Sequence, residues 1–195
     1  FGTPQVTESL IIDGNDFEVS RSGINEMQFI LLTGGDISLT ITDLTISAFS
    51  LSGGVDRDGA IDLHDAGAGT LTLTNVTFDS NTVGVIHSGM GGGTGDWTIT
   101  NSTFTNNTVN GGNGGIINSA PVRNFTLTGS TFTNNESISG IDGSVITFLD
   151  GAGGGGPFNI SISDSVFTSN HSDGGFGGVL GISSFFPEII VDIDN

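Results

Sequence analysis

The residue types that most often carry acid–base chemistry are concentrated in one short segment containing Asp62, His64 and Asp65. A second histidine, His87, follows further along the chain. A carboxylate beside an imidazole can form a general acid–base pair or part of a metal site. If the glycines that precede these segments align, Asp62 and His87 stack on the outer face of one strand column, with Asn118 above them. Asp62, His64 and His87 are therefore the catalytic candidates, although an outward strand face holds polar residues without any catalytic role.

Two acidic, glycine-containing segments could bind calcium, which prefers several oxygen ligands. The first carries Asp13 and Asp16, and the second carries Asp56 and Asp58. Neither matches a complete EF-hand loop, and turns favour the same residue types for backbone reasons. Calcium is thus a possible ligand, and no other cofactor is predicted.

Pairs of hydroxyl residues recur in alternation with apolar residues. An alternating segment is typical of a strand with one dry and one wet face, so these hydroxyls should point outward and stack into a two-column ladder. The members of this ladder are Thr40, Thr42, Thr72, Thr74, Thr98, Thr100, Thr126, Thr128, Ser161 and Ser163. Such a regular threonine array resembles the ice-binding face of β-solenoid antifreeze proteins, and threonine is also generally favoured on wet strands.

Seven Asn-x-Ser/Thr sequons are present, and several lie within the repeated motif described below. They are possible glycosylation sites if the chain passes through a glycosylating export route, because such sites occupy exposed turns. The sequon asparagines are Asn75, Asn101, Asn106, Asn124, Asn135, Asn159 and Asn170.

Charge and composition exclude several classes of function. The 195 residues include 21 Asp and Glu against three arginines (Arg21, Arg57 and Arg123), with no lysine and a formal net charge of −18. Such a charge repels phosphate backbones and anionic lipids, so we expect neither nucleic-acid binding nor membrane insertion. The absence of cysteine excludes disulfides and thiolate metal sites. The 33 glycines and 14 phenylalanines point to a glycine-rich β protein.

The elements that must position these residues form a repeat. The segment Leu71-Thr-Leu-Thr-Asn75 recurs in related forms, with Gly, Asp or Asn always in the last place. These residue types tolerate left-handed backbone geometry, so a sharp corner is predicted there, including at Gly14. A second strand containing phenylalanine follows, and an asparagine such as Asn107 stands three residues later as a turn residue. A third apolar strand completes each unit.

Three short strands per unit, repeated about six times, predict a parallel β-solenoid forming a single domain over residues 1–195. Like residues should stack on like about 4.8 Å apart along the axis. Most phenylalanines are then interior, and Trp97 should point inward. An antiparallel sandwich would not explain corner residues that recur at the same offset.

The repeat resembles the right-handed parallel β-helix proteins of the pectin-lyase-like superfamily, in particular polymorphic membrane proteins and autotransporter-like adhesins. The resemblance rests on Phe-x-x-Asn tetrapeptides, such as Phe104 to Asn107, and on looser Gly-Gly-Ala-Ile-like segments, such as 114–117. It implies a right-handed parallel β-helix. Enzymes of the superfamily act on acidic polysaccharides with an arginine base beside calcium, or with clustered aspartates, a histidine and a basic residue. No arginine here stands in a matching motif.

The sequence therefore favours an extracellular structural or adhesive module of a cell-surface protein, or the subunit of a self-stacking fibre. We expect end-to-end self-association or a fused further β-helix beyond Asn195, and a host or matrix surface as a possible partner. Two alternatives remain: an ice-binding protein that uses the threonine ladder, and a polysaccharide lyase or hydrolase.

Overall fold

The computed structural model describes residues 3–23, 26–51, 59–65, 68–88, 95–110, 115–119, 122–138, 144–148, 158–173, 178–182 and 189–194. These residues contain strands and turns but no helix. The strands are, in chain order, β1 (Gln5–Val6), β2 (Leu10–Ser20), β3 (Ile30–Thr33), β4 (Leu39–Ser47), β5 (Gly59–Asp65), β6 (Leu71–Thr74), β7 (Thr77–Asp79), β8 (Gly84–Ser88), β9 (Trp97–Thr100), β10 (Thr103–Thr105), β11 (Thr108–Val109), β12 (Gly115–Ser119), β13 (Asn124–Thr128), β14 (Thr131–Thr133), β15 (Glu136–Ser137), β16 (Ser144–Phe148), β17 (Phe158–Ser163), β18 (Val166–Thr168), β19 (His171–Ser172), β20 (Leu180–Ile182) and β21 (Ile189–Asp194).

The strands stack into three parallel sheets, and strand pairing joins each turn of the chain to the next. One sheet contains the glycine-initiated strands β5, β8 and β12 and has the order β1-β3-β5-β8-β12-β16-β20. A larger sheet of eleven strands combines the threonine-bearing strands with the phenylalanine-bearing strands, because β4 runs through both positions. The short strands β11, β15 and β19 form the third sheet. The predicted parallel β-helix is confirmed, with about five turns where about six rungs were expected.

A left-handed residue forms the corner between the threonine-bearing and phenylalanine-bearing strands, as the sequence predicted. The backbone φ angle is 52° at Asp43, 56° at Asn75, 51° at Asn101 and 62° at Gly129. A positive φ is tolerated by glycine and, among other residues, best by Asn and Asp, which explains the restricted composition of this position.

The prediction of a left-handed corner at Gly14 is wrong. The left-handed residues in that turn are Asn15 and Asp16, with φ angles of 46° and 61°. The reason is a shift in register, because the pairing of β2 with β4 skips from Asp13 to Phe17 and inserts extra residues at the corner. Gly14 is required instead for close packing, since a Cβ atom there would collide with the backbone of the next turn at Asp43.

A column of stacked phenylalanines fills the interior beneath the phenylalanine-bearing strands. The ring centroids are 5.0 Å apart between Phe78 and Phe104, 4.3 Å between Phe104 and Phe132, and 4.8 Å between Phe132 and Phe167. The first three rings are fully buried. Trp97 is also buried and pairs in register with Leu71 and Phe125, as predicted.

The asparagine three residues after each phenylalanine of the repeat lies in the turn that follows the strand, as predicted, and its side chain also forms a ladder inside the β-helix. The left-handed residue is the one before it, for example Asn106, with φ at 55°. Nδ2 of Asn107 donates to Oδ1 of Asn135 at 2.9 Å and to the carbonyl oxygen of Phe78 at 3.0 Å. Its Oδ1 accepts from the backbone N–H and from Nδ2 of Asn81, at 3.1 and 2.9 Å. Because the side chain turns inward, it can join three successive turns.

A second internal ladder is formed by serines at the corner. Oγ of Ser130 accepts from the backbone N–H of Ser102 at 3.1 Å and donates to the carbonyl oxygen of Thr128 at 3.1 Å. Ser102 makes the equivalent bonds with Val76 and Thr100. The serines thereby satisfy backbone groups that the sharp corner removes from the sheet, as buried polar groups require.

Candidate functional site

The acid–base candidates lie on the sheet of glycine-initiated strands. Asp62 of β5 pairs in register with His87 of β8, which pairs with Asn118 of β12. The predicted stacking is therefore confirmed, but the predicted position on the outside is wrong. Asp62 is fully buried, Asn118 is 3% exposed, and the His87 side chain is 11% exposed. Buried isoleucines alternate with these residues, so both faces of this sheet are covered.

The geometry around Asp62 favours a structural role. Nε2 of Gln28 donates to Oδ2 of Asp62 at 3.2 Å, and both residues are buried. Nδ1 of His87 lies 3.7 Å from Oδ1 of Asp62, which is longer than a hydrogen bond. His64 lies in β5, but the placement of its side chain is outside the described part of the chain. A buried carboxylate that accepts a hydrogen bond from an amide stabilises its surroundings and has little contact with solvent.

The calcium candidates are divided between described and undescribed residues. Asp13 accepts a hydrogen bond from the backbone N–H of Asn15 at 3.2 Å, which is a local turn contact. Asp56 and Asp58 lie outside the described residues. Within the described ranges, no three histidine or acidic side chains come close enough together to hold a metal ion.

The predicted threonine ladder is brought into register. Strands β4, β6, β9, β13 and β17 align Thr40, Thr72, Thr98, Thr126 and Ser161 in one column, and Thr42, Thr74, Thr100, Thr128 and Ser163 in the next. These side chains are half-buried or exposed, and the residues between them are buried. We call the six threonines of β6, β9 and β13 the first threonine face.

The structure adds a second threonine surface that the sequence reasoning missed. Register pairing stacks Thr103 on Thr77 and on Thr131, and it stacks Thr105 on Asp79 and on Thr133. We call these six positions of β7, β10 and β14 the second threonine face. The signal that could have predicted it is the alternation Thr-Phe-Thr at 103–105 and 131–133, and Thr-Phe-Asp at 77–79.

The sequons fall into different environments. Asn75, Asn101, Asn106 and Asn159 are exposed, and Asn124 is half-buried. Asn135 is buried at 1% exposure, and its Nδ2 donates to the carbonyl oxygen of Phe104 and to Oδ1 of Asn170. Asn170 belongs to the same ladder and is half-buried. The expectation that every sequon occupies an exposed turn is therefore wrong for these two ladder positions.

Two of the three arginines lie in the described part of the chain. Nε of Arg21 donates to the carbonyl oxygen of Ala48 at 2.9 Å, and Arg123 is exposed just before β13. Arg57 is outside the described residues. The described part of the chain has no helix long and apolar enough to cross a membrane.

Comparisons with protein-family models, curated proteins and solved structures found no match to this chain.

Proposed function

We propose that this protein is a structural module, a stiff β-helical segment that holds a polar surface outward at the exterior of a cell. The observation that carries the proposal is the continuity of its internal ladders. The phenylalanine stack and the asparagine ladder each run from turn to turn without interruption from β7 to β18. Such ladders stiffen a solenoid because every turn is fixed to both of its neighbours.

The residues available for chemistry support the same proposal. The predicted pair of Asp62 and His87 is buried, which leaves it little contact with a substrate in solvent. The closer pair of His171 and Asp173, at 2.7 Å, is exposed but joins residues only two positions apart at the end of one strand. The resemblance to adhesin-like β-helices favours a cell-surface location. The strongly acidic composition favours solubility of an elongated particle. Polysaccharide cleavage stays a prediction, and we assign no site for it among the described residues.

The terminal strands of the described β-helix support axial association. Phe17 and Val19 of β2 occupy the inward column above Leu44 and Ile46, yet Phe17 is 69% exposed. At the opposite end, the inward Ile193 of β21 is 66% exposed. A further β-helical turn, from this chain or from a second copy, would cover such apolar side chains and pair the strand edges.

The carboxylates at the two ends predict how the association of a second copy depends on ionic strength. Asp13 and Asp194 pair with Thr42 and Ser163, so both belong to the same outer column at opposite ends. End-to-end stacking in register would bring these carboxylates together, and like charges directly opposite each other are destabilising. Association should therefore be stronger at high ionic strength than at low ionic strength.

Analytical ultracentrifugation across a concentration series, at low and high salt, tests the fibre form. Negative-stain electron microscopy of the same samples gives particle length. Rod-shaped particles that lengthen with salt would support end-to-end stacking. A monomer at every concentration and salt would refute the fibre and leave the single module. Compact, easily unfolded particles would refute the stiff module itself.

A further inference from the structure

The two threonine faces have an unusually uniform composition. They comprise twelve positions, and eleven of these are threonine, with Asp79 as the exception. Only one charge thus lies on these twelve positions, in a protein with 21 acidic residues. These twelve positions are therefore nearly neutral, while the same columns end in acidic residues such as Asp13 and Asp194.

Strand propensity alone does not account for this uniformity. The adjoining three-stranded sheet is also solvated, and its outer column pairs Thr108 with Glu136 and Glu136 with His171. The same backbone geometry there accepts three different residue types, two of them ionisable. Threonine is favoured on any wet strand, but that preference would act equally on both surfaces.

The hydroxyl groups of the faces are available to an external ligand. Among the hydrogen bonds of the described residues, Thr128 is the one face threonine whose hydroxyl is joined to another side chain, at 3.2 Å from Oγ of Ser163. The remaining face hydroxyls are left to bind solvent or a ligand. Each threonine also presents a methyl group, so the surface repeats a methyl and a hydroxyl about every 4.8 Å along the axis.

The faces are also held in place before any ligand arrives. The phenylalanine stack and the asparagine ladder support the strands of the second face. Buried apolar side chains such as Leu73, Ile99 and Leu127 alternate with the threonines of the first face. A rigid array loses little conformational entropy on binding, which favours a ligand that is itself ordered. β-Branched threonine adds to this effect because its side-chain torsion is restricted.

The chemistry of the faces selects the ligand class. They carry no cation for an anionic partner, and the single Asp79 is too little for a cationic one. They carry no aromatic side chain on which a sugar ring could stack. What remains is a neutral, ordered, hydrogen-bonding solid. We propose that the two threonine faces bind ice through the ordered water at its surface, each from its own side of the left-handed corner.

The test is thermal hysteresis and ice-crystal shape with the purified chain, together with capture on a growing ice surface. We expect faceted crystals and incorporation into ice. Thr98→Lys in the centre of the first face and Thr103→Lys in the centre of the second should each lower hysteresis by more than half. Asn110→Lys, at an exposed position outside both faces, is the matched control and should leave it unchanged.

Each outcome bears on the proposal. Round, unshaped crystals with folded wild-type protein would overturn it, and so would binding to insoluble cellulose or chitin in place of ice. If only Thr98→Lys lowered thermal hysteresis, the assignment of the second face would be wrong. If Asn110→Lys lowered it equally, the assignment of ice binding to the threonine faces would be wrong. If a lysine variant fails to fold by circular dichroism, Thr98→Val replaces it. The structural proposal is judged by sedimentation and particle shape, so its failure is distinguishable from this one.

Discussion

Replacement of Asn107 by alanine removes a fully buried side chain that makes four hydrogen bonds inside the β-helix. Some of its partners keep a second bond. Nδ2 of Asn81 still donates to the carbonyl oxygen of Ile46, and Oδ1 of Asn135 still accepts from the backbone N–H of residue 107. The backbone N–H of Asn81 and the carbonyl oxygen of Phe78 lose the bonds that the Asn107 side chain made with them.

The magnitude follows from the backbone N–H of Asn81, because the carbonyl oxygen of Phe78 also lies in the ladder between β7 and β10. A buried polar group left unsatisfied costs about 1–3 kcal/mol, so the substitution should lower the free energy of unfolding by about 1–3 kcal/mol. That is a substantial part of the roughly 5–15 kcal/mol that stabilises a typical domain. For a chain of this size, the melting temperature should fall by about 2–4 °C for each kcal/mol lost.

Chemical denaturation monitored by circular dichroism measures this change. The matched control is Asn106→Gly, which alters the adjacent exposed asparagine and keeps a residue that tolerates its φ of 55°. The control should change the free energy of unfolding by no more than about 1 kcal/mol. If Asn107→Ala cost as little as the control, the ladder would not stabilise the fold, and the reasoning from buried hydrogen bonds would be wrong.

Three further predictions address the core, the glycines and the sequons. Phe104→Ala should lower the free energy of unfolding by about 3–5 kcal/mol, because it opens a gap between two stacked rings, and Phe104→Leu should cost clearly less in the same denaturation assay. Gly95→Ala should lower the melting temperature because its Cβ would collide with the carbonyl group of Gly69. Gly35→Ala should leave the melting temperature unchanged, because open space surrounds that residue. Equal melting temperatures of the two variants would contradict the close packing of Gly95 against Gly69. In folded protein secreted from a glycosylating cell, glycopeptide mass spectrometry should find Asn135 unmodified, since its Nδ2 is bonded within the buried ladder, while the exposed Asn101 is open to modification. A glycan on Asn135 would contradict the ladder.

The repeat alone determined the fold of this protein. Alternation of Thr with Leu or Ile can be satisfied only by a strand with one buried face, and Gly, Asp or Asn at a fixed offset requires a left-handed corner. Both features are local, so they can be read from consecutive residues. Parallel stacking was predicted because successive repeats have similar sequences. The structure confirms it, since Thr98 pairs in register with Thr72 and Thr126 in parallel strands.

Tertiary structure decided which polar residues face inward. Asn107 and Asn106 are the same residue type at adjacent positions, and one is buried while the other is exposed. Nothing local separates them, because the inward position is favourable only when an asparagine of the next turn supplies its partner. Strand alternation likewise predicts that Asp62 and His87 point outward, yet their sheet is covered on both faces. Burial depends on what packs over a strand, and that is set by residues distant in the sequence.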